Sequence, residues 1–440
     1  MTQNTKQLML FKDISHKKVV ADFNGGDVSS DAGLLFLREM EQRMGLIKRM
    51  TNVLKDRRHP SYVKHQFIEL MKQRVFQVAS GYEDANDSDD LRNDPIMKIV
   101  CEKPDDSLAS QPTMSRFENS LSRTDLYRIA KAFVDIFISS YNKPPKGIIL
   151  DLDDTEDKTY GSQQLSFFNS YHGGYCYMPL HIYEGQSGKL ITTVLRTGKV
   201  PSGKEIVMIL KRIVERIRQA WPDVGIIVRG DAHYGYPELF YFCESHEIKY
   251  VLGLTYRKPM LKKVQLLKDK AKAFFELKNE PVKLYGEFFY QAKSWKTPQR
   301  VVYKAEHNDK GPNTRFIATN FENSHRRMIY ETIYCGRGAM ELMIKEHKNH
   351  LRSDKTSCSS FLANQFRLFI YSMAYVLLHS FREKCLRNTQ FAKAQFDTIR
   401  LKILKLGARV ISISTKIKVH LPTSCPYQED LFRIWQACVT

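Results

Sequence analysis

The stretch GIILDLDD, residues Gly147–Asp154, organises the fold of this chain of 440 residues. Its residues alternate between two faces, with Ile149, Asp151 and Asp153 on the same face, as the two-residue period of a β-strand requires. Two acids on one face of a mostly apolar strand are costly to bury unless they are hydrogen-bonded or bind a metal ion. The stretch therefore predicts a core strand that also carries a functional site.

The chain that follows this strand alternates regularly between strands and helices. In order, the predicted elements are a hairpin of Tyr177–Gly185 and Lys189–Gly198, a helix capped by Ser202 and Glu205, the strand Gly225–Asp231, a helix opened by Pro237 and the strand Lys249–Thr255. Three strands, a helix, a strand, a helix and a strand form the order of a ribonuclease-H-like domain. In that layout the ends of the first and fourth strands are adjacent, so Asp153 and Asp231 are predicted to be neighbours.

A second stretch, YCGRGAMELMIKEHK, is predicted to form a helix that faces the same site. At about 100° per residue, Tyr334, Arg337, Glu341 and Lys348 fall within an arc of roughly 60°. This face combines an aromatic hydroxyl, a guanidinium, a carboxylate and an ammonium. It suits a phosphodiester, because the cations hold phosphates and the carboxylate can hold a divalent metal. A solvated helix face is the alternative interpretation of the same spacing.

Three acids from distant parts of the chain are the candidate catalytic residues and metal ligands: Asp153, Asp231 and Glu341. Carboxylates prefer hard ions such as Mg²⁺ or Mn²⁺, and the sequence has no cluster of His or Cys that indicates zinc. Two ions acting together are the arrangement suited to phosphodiester cleavage. Asp151 lies one pleat, roughly 6.6 Å, from Asp153 on the same face and is the alternative first ligand.

Composition limits the classes of partner. The chain has 68 Lys and Arg against 48 Asp and Glu, and the net charge of +20 indicates a polyanion such as nucleic acid, or else a generally basic protein without a specific partner. Eight scattered cysteines argue against a zinc ribbon or disulfide framework and favour a reducing compartment. The first ten residues are too polar for a secretory signal. Residues 361–381 are interrupted by Asn364, Gln365 and Arg367, which predicts a buried helix and not a membrane span.

Five regions are predicted. They are a helical DNA-binding region (1–140), the first part of the core (141–256), a β-rich insertion (257–330), the second part of the core with the Glu341 helix (331–382) and a basic C-terminal region (383–440). The fold class is therefore mixed α/β. In the first region, SQPTMSRFENSL predicts a short helix on which Arg116 is a candidate DNA contact, with an ordinary surface helix as the alternative. The acidic residues 81–95 are predicted to form a solvated loop, because the glycine and bidentate Glu of a calcium loop are missing.

On these motifs the sequence resembles the bacterial insertion-sequence transposases of the DDE class. It is most similar to the group whose third acid lies in a Tyr–Arg–Glu–Lys signature, matched here by Tyr334, Arg337, Glu341 and Lys348 at the group's spacing. The first acid of that group shortly precedes a Thr, as Asp153 precedes Thr155, and the second closes a strand, as Asp231 does. The stretches SSDAGLLFLREM, GYEDANDSDDLRNDP and LKILKLGARV are also similar to one subfamily, so the resemblance covers nearly the whole chain.

The resemblance implies metal-dependent cleavage of transposon ends followed by strand transfer. It implies two Mg²⁺ or Mn²⁺ ions, with Asp153 bridging both and Asp231 and Glu341 each holding one, and Arg337 and Lys348 holding phosphates. The implied partners are double-stranded DNA, as terminal inverted repeats and as target, and a second copy in a homodimer that pairs two ends. The expected location is the bacterial cytoplasm, in association with the nucleoid, without a membrane. The alternatives are a catalytically inactive DNA-binding protein on the same scaffold and a stand-alone nuclease.

Overall fold

The computed structural model describes residues 8–440, which divide into two compact units. Of the described residues, the first unit comprises 8–120 together with 373–440, and the second comprises Leu121–Ser372. The five regions proposed from the sequence divide the chain more finely, and their DNA-binding and catalytic assignments remain predictions.

The strands and helices are numbered in chain order. The strands are β1 (Met9–Ile14), β2 (Lys17–Ala21), β3 (Val28–Ser29), β4 (Gly147–Asp154), β5 (Asp157–Lys158), β6 (Phe167–Asn169), β7 (Gly174–Tyr177), β8 (Leu180–Glu184), β9 (Leu190–Val194), β10 (Gly225–Gly230), β11 (Lys249–Leu254), β12 (Val282–Tyr290), β13 (Gln299–Asn308), β14 (Gly311–Thr319), β15 (Ala408–Ile413) and β16 (Lys416–His420). The α-helices are α1 (Leu34–Met44), α2 (Leu46–Asn52), α3 (Phe67–Ser80), α4 (Asp87–Leu91), α5 (Pro95–Val100), α6 (Gln111–Glu118), α7 (Arg123–Ser139), α8 (Gly203–Ala220), α9 (Pro237–Ser245), α10 (Lys258–Lys278), α11 (Arg326–Met328), α12 (Gly338–Lys345), α13 (Phe361–Cys385), α14 (Phe396–Ile399) and α15 (Gln428–Val439).

The first unit is mainly helical and also contains two small sheets. Strands β1 and β2 form an antiparallel hairpin, and β15 pairs with both β16 and β3. The β1–β2 hairpin was not anticipated from the sequence. Its apolar residues, such as Phe11 and Ile14, are exposed, so the strand pattern there is not reinforced by a buried face.

The second unit is built on a single sheet of eight strands in the order β12-β13-β14-β11-β10-β4-β8-β9. Its last five strands reproduce the predicted core, because β10 lies parallel to both β4 and β11 while β8 runs antiparallel to β4 and β9. The prediction of a mixed α/β fold with a ribonuclease-H-like strand order is confirmed. A small sheet of β5, β6 and β7 between β4 and β8 was not anticipated.

The predicted β-rich insertion is present, and its strands β12, β13 and β14 extend the core sheet. Strand β14 pairs antiparallel with β11, so the insertion covers the edge that β11 would otherwise expose. The Lys-rich stretch after β11 forms α10, which packs on the added strands through Met260 and Val264 against Val301 and Phe316.

The two faces of the core sheet differ in polarity because the side chains of β4 alternate. Ile148, Leu150 and Leu152 belong to a buried apolar cluster with residues of α7, α8 and α9. The opposite face carries the acids. Ser202 accepts a hydrogen bond from the Glu205 main-chain nitrogen at the start of α8, but the Glu205 carboxylate pairs with Arg196, so the predicted reciprocal cap is only half formed.

Among residues 8–440, α13 is the helix whose length and apolar composition would allow it to cross a membrane. However, 89% of its most apolar window is buried inside the protein. This agrees with the expectation of a buried helix.

Candidate active site

Two of the predicted acids lie at the same edge of the sheet, where the neighbouring strands β4 and β10 end. These parallel strands are in register, with Arg229 opposite Asp151 and Gly230 opposite Leu152. Asp231 directly follows Gly230 in extended conformation, so it lies just past the end of β10, which is about 4.8 Å from β4, the strand of Asp153. Burial raises the pKa of Asp153, and repulsion by the charge of the nearby Asp231 carboxylate adds to that rise. The predicted proximity of these two acids is therefore found in the structure.

Asp151, the alternative first ligand, forms what we call the closed pair with Arg229. The Arg229 Nε atom lies 2.5 Å from Asp151 Oδ1, and Nη2 lies 2.6 Å from Oδ2. Both residues are buried, at 0% and 2% exposure. A Cβ atom at Gly185 would come within 2.5 Å of Asp151 Oδ2, so a glycine is needed to let the backbone approach this pair. The engaged carboxylate of Asp151 favours Asp153 as the acid available for chemistry.

Asp153 forms a weaker contact, which we call the open pair, with Arg337. Arg337 Nη2 donates to Asp153 Oδ2 at 2.9 Å, and the Arg337 Nε atom is buried without a hydrogen-bond partner among residues 8–440. The side chains remain 14% and 19% exposed. Burial raises the pKa of Asp153 to about 6, although the Arg337 charge opposes the shift. A carboxylate of this kind would be stabilised by additional positive charge.

The signature residues lie on an irregular helical segment, residues 326–350, which we call the signature helix. The sequence suggested a single regular helix instead. Residues 326–350 combine the short α-helices α11 and α12 with π-helical turns at Ile329–Tyr334 and Glu346–His350 and a 3₁₀ turn at Cys335–Arg337. One cause is Arg229, whose Nη1 atom donates to the Ile333 carbonyl at 2.5 Å. A Cβ atom at Gly336 would lie 2.8 Å from that guanidinium, so the turn closes around it. The assumed uniform spacing of 100° per residue is therefore wrong here.

The changed helix geometry separates the signature residues. Tyr334 faces β11, where its hydroxyl would lie 3.0 Å from a Cβ atom at Gly253. Arg337 faces Asp153. Glu341 is one turn further along, about 6 Å in the axial direction, and its side chain is exposed. Within the described residues Glu341 makes no hydrogen bond or ion pair, so the structure does not bring it into contact with Asp153 or Asp231.

The two remaining cations proposed to bind DNA lie elsewhere. The Lys348 ammonium donates to the main-chain carbonyl of Glu156, three residues after Asp153. Arg116 is exposed on α6 in the first unit, where its guanidinium donates to Thr113 Oγ1 at 3.1 Å. The predicted short helix around Arg116 is present, and its role in DNA binding remains a prediction.

The family model described as transposase DDE domain group 1 matches residues 11–438, which is nearly the whole chain. The chain belongs to the DDE transposases. It is therefore an enzyme of DNA transposition, as the resemblance of its acids and signature to this class implied.

Curated proteins and solved structures were also compared with this chain. Among curated proteins none is significantly similar to this transposase. One solved structure with a detectable likeness is the piggyBac transposase in a synaptic complex with hairpin DNA, at 11% sequence identity and a TM-score of 0.41. The likeness covers 86% of this chain and 80% of that one.

DDE transposases use divalent metal ions, and the end of β4 fits such an ion in part. Asp153 and Asp231 supply two hard carboxylate donors in a partly buried site, and their mutual repulsion is the kind that a divalent cation relieves. No group of three His, Cys, Asp or Glu side chains in residues 8–440 has the geometry of a metal site. Two of the three predicted ligands are thus together, and the third is not.

The sequence interpretation of this transposase overlooked two groups. Arg229 connects Asp151 to the signature helix, and its position two residues before Asp231 on the same face of a strand was an available signal. Asp154, the last residue of β4, lies beside His233 Nδ1 at 3.3 Å and Tyr234 Oη at 3.3 Å. The hydrogen bond to Asp154 raises the pKa of His233 to about 9. No sequence spacing identifies that contact.

Proposed function

We propose that this chain is the transposase of a bacterial insertion sequence and that Asp153, Asp231 and Glu341 are its catalytic metal ligands. The observation that supports this most is the open pair beside Asp231. It places two carboxylates and a guanidinium at the ends of adjacent parallel strands, with one carboxylate of pKa about 6. Neither acid is held in a closed ion pair such as Asp151 has.

The proposed cofactor is a pair of Mg²⁺ or Mn²⁺ ions. When bound, such ions activate the attacking oxygen and stabilise the leaving oxygen of a phosphodiester. Asp153 and Asp231 would hold them from the sheet, and Glu341 would complete the set from α12. Because Glu341 is exposed and without a partner within residues 8–440, its carboxylate is available to turn toward the two aspartates.

The remaining residues of the site orient the DNA. Arg337 lies 2.9 Å from Asp153, so a phosphate held by its other nitrogen atoms would lie next to the reacting phosphorus. Tyr334 would pack on the same strand. Arg116, in the first unit, would contact DNA outside the cleaved bond. These contacts concern double-stranded DNA, as the terminal inverted repeats of the element and as the target.

Two successive steps are proposed at this site. Water attacks the phosphorus at the transposon end, and the bond to the 3′-oxygen breaks, which leaves a free 3′-hydroxyl. That hydroxyl then attacks a phosphodiester of the target, forms a new P–O bond and displaces the target 3′-oxygen. Two ends are cut together, so we propose a homodimer in the end-paired complex, acting on the nucleoid in the bacterial cytoplasm.

Cleavage of labelled terminal-repeat DNA with Mg²⁺ tests the assignment. Asp153→Asn, Asp231→Asn and Glu341→Gln should each reduce the cleavage rate at least about 1000-fold, since the metal stabilises the transition state by several kcal/mol. All three should still bind the DNA, because no phosphate contact is removed. Asp309→Asn, in the exposed turn between β13 and β14, is the matched control and should cleave normally. Wild-type cleavage by any of the first three variants contradicts the assignment of that residue.

A further inference from the structure

Lys348, at the carboxyl end of the signature helix, has a contact that its expected role in phosphate binding does not explain. Its ammonium donates to the main-chain carbonyl of Glu156, in the turn between β4 and β5. That turn begins immediately after β4, the strand that carries Asp153 near its end. The helix and the catalytic strand are thus joined by a hydrogen bond to a backbone atom, whose position is set by the fold.

The surroundings of Lys348 are those of a protein interior. Asp157 is only 1% exposed, and within the described part of the chain its Oδ2 atom has no hydrogen-bond partner. Burial raises the pKa of Asp157 well above its usual range, and the positive charge of Lys348 opposes that shift. The side chain of Lys348 is half-buried and directed at this turn. An ammonium in that position stabilises the turn and is poorly placed to meet a phosphate from solvent.

Two further contacts tie the same helical segment to the sheet. Arg337 binds the Asp153 carboxylate, and Arg229 of β10 binds the Ile333 carbonyl. Glu341 lies between Arg337 and Lys348 along the segment. The part of the helix that carries Glu341 is therefore fixed at both ends to β4 or to the turn that follows it, while the Glu341 side chain itself is exposed.

We propose that Lys348 is a positioning residue, which docks the Glu341 helix onto the turn after Asp153 and so sets the distance between the third acid and the other two. This inference rests on the proposed function, because it concerns the ligands assigned there. The docking contact is the hydrogen bond from the Lys348 ammonium to the Glu156 carbonyl. On this proposal Lys348 positions the three acids relative to one another and does not bind a phosphate of the DNA backbone.

Mn²⁺ binding to the DNA-free protein, followed by electron paramagnetic resonance, separates the two roles. Lys348→Met should weaken Mn²⁺ affinity by about 10-fold or more, the usual effect of losing a residue that orients metal ligands. The direction is diagnostic, because loss of a positive charge alone would strengthen cation binding. Lys345→Met removes an exposed lysine from the same helix and should leave Mn²⁺ affinity unchanged.

DNA affinity as a function of salt concentration gives the second readout. A phosphate contact contributes about 0.9 to the slope of log affinity against log salt, so Lys348→Met should keep the wild-type slope if the lysine docks the helix. A reduced slope with unchanged Mn²⁺ affinity overturns the proposal. Thermal melting, recorded in parallel, identifies a purely structural effect, which would lower the melting temperature and spare Mn²⁺ affinity, and that result also overturns it.

Lys348→Arg decides the matter if the methionine variant does not fold. Arginine keeps the positive charge, but its planar guanidinium cannot donate to the Glu156 carbonyl in the same geometry as the compact ammonium. Mn²⁺ affinity should therefore fall by about 3-fold or more. An arginine variant with wild-type Mn²⁺ affinity contradicts the positioning role. Asp153→Asn serves as the reference for the site itself. If that variant binds Mn²⁺ as well as the wild type does, the proposed metal site is wrong, whatever Lys348 does.

Discussion

Asp151 and Asp153 lie two residues apart on one face of β4, yet their charges are compensated in different ways. Asp151 receives two hydrogen bonds from Arg229 in the closed pair, and that guanidinium also binds the Ile333 carbonyl. Asp153 receives one hydrogen bond from Arg337 in the open pair, and Asp231 lies beside it. In the closed pair the charges of Asp151 and Arg229 neutralise each other. Beside the open pair, the carboxylates of Asp153 and Asp231 together carry more negative charge than Arg337 neutralises, so negative charge remains for a ligand. The difference distinguishes a carboxylate that supports the fold from one suited to chemistry.

The largest effect that would test this contrast is the loss of Arg229. Arg229→Met leaves Asp151 buried without a cation and frees the Ile333 carbonyl, so the free energy of unfolding should fall by about 3–5 kcal/mol. Urea unfolding of the metal-free protein measures it. Arg337→Met is the matched control. It should cost clearly less, because Arg337 makes a single hydrogen bond to a partly exposed carboxylate.

A double variant tests whether the stability lost in Arg229→Met comes from the unpaired charge of Asp151. Asp151→Leu combined with Arg229→Met removes both charges of the closed pair and should recover part of the lost stability, since an apolar pair of similar volume carries no desolvation cost. If Arg229→Met and Arg337→Met are equally destabilising, the distinction between the closed and open pairs has no energetic basis.

Asp157 extends the comparison to a buried acid that forms no ion pair with any residue in the described range 8–440. Its pKa in the folded protein lies well above its value of about 4 in an unfolded chain, because burial disfavours the charged form. Its contribution to stability is therefore complete below about pH 4 and declines as the pH rises toward the folded value. Asp157→Asn removes the ionisation and should raise the melting temperature by about 2–4 °C at pH 7.5, equivalent to roughly 1 kcal/mol.

The pH dependence of that gain is the decisive observation. Melting curves of Asp157→Asn and the wild type, recorded with a chelator present, should differ much less at pH 4.5 than at pH 7.5. An equal gain at both values would show that folding does not raise the pKa of Asp157, and it would contradict the prediction.

The smallest expected effect concerns Arg116, whose guanidinium donates to the neighbouring Thr113 hydroxyl and pairs with no carboxylate of the residues that the structure describes. Like the open pair, it retains charge for an external anion. Arg116→Ala should lower terminal-repeat affinity about 3-fold near 0.1 M salt and reduce the salt slope by about 0.9 if it binds one phosphate. Lys268→Ala, on α10, controls for the loss of a single positive charge elsewhere. Identical salt slopes for both variants and the wild type would remove Arg116 from the DNA interface.

Much of the second unit followed from local pattern. The alternation in Gly147–Asp154, the hairpin after it and the helices opened by Ser202 and Pro237 gave the core strand order, because strand and helix periods are properties of neighbouring residues. The nearness of Asp153 and Asp231 followed from that order, since adjacent parallel strands end at the same edge.

The signature helix shows where local pattern failed. A uniform angle per residue assumes that every turn is equivalent, but the Arg229 guanidinium contacts the main chain at Ile333 and approaches Gly336 closely. Arg229 is more than 100 positions away in sequence, so no spacing within Tyr334–Lys348 could reveal it. The result is that Arg337 faces Asp153 while Glu341 remains exposed.

By itself, the sequence determined the strand order of the core, the candidate acids and the basic character that suits a nucleic-acid partner, because these depend on residue type and short-range period. Only the tertiary structure decided which carboxylate charges are neutralised within the protein, and which cation neutralises each of them. That choice depends on which side chains meet across the sheet and the helix above it, and on how completely burial removes water from them. Asp151 and Asp153 are the same residue type on the same face, and only their partners, Arg229 and Arg337, distinguish them.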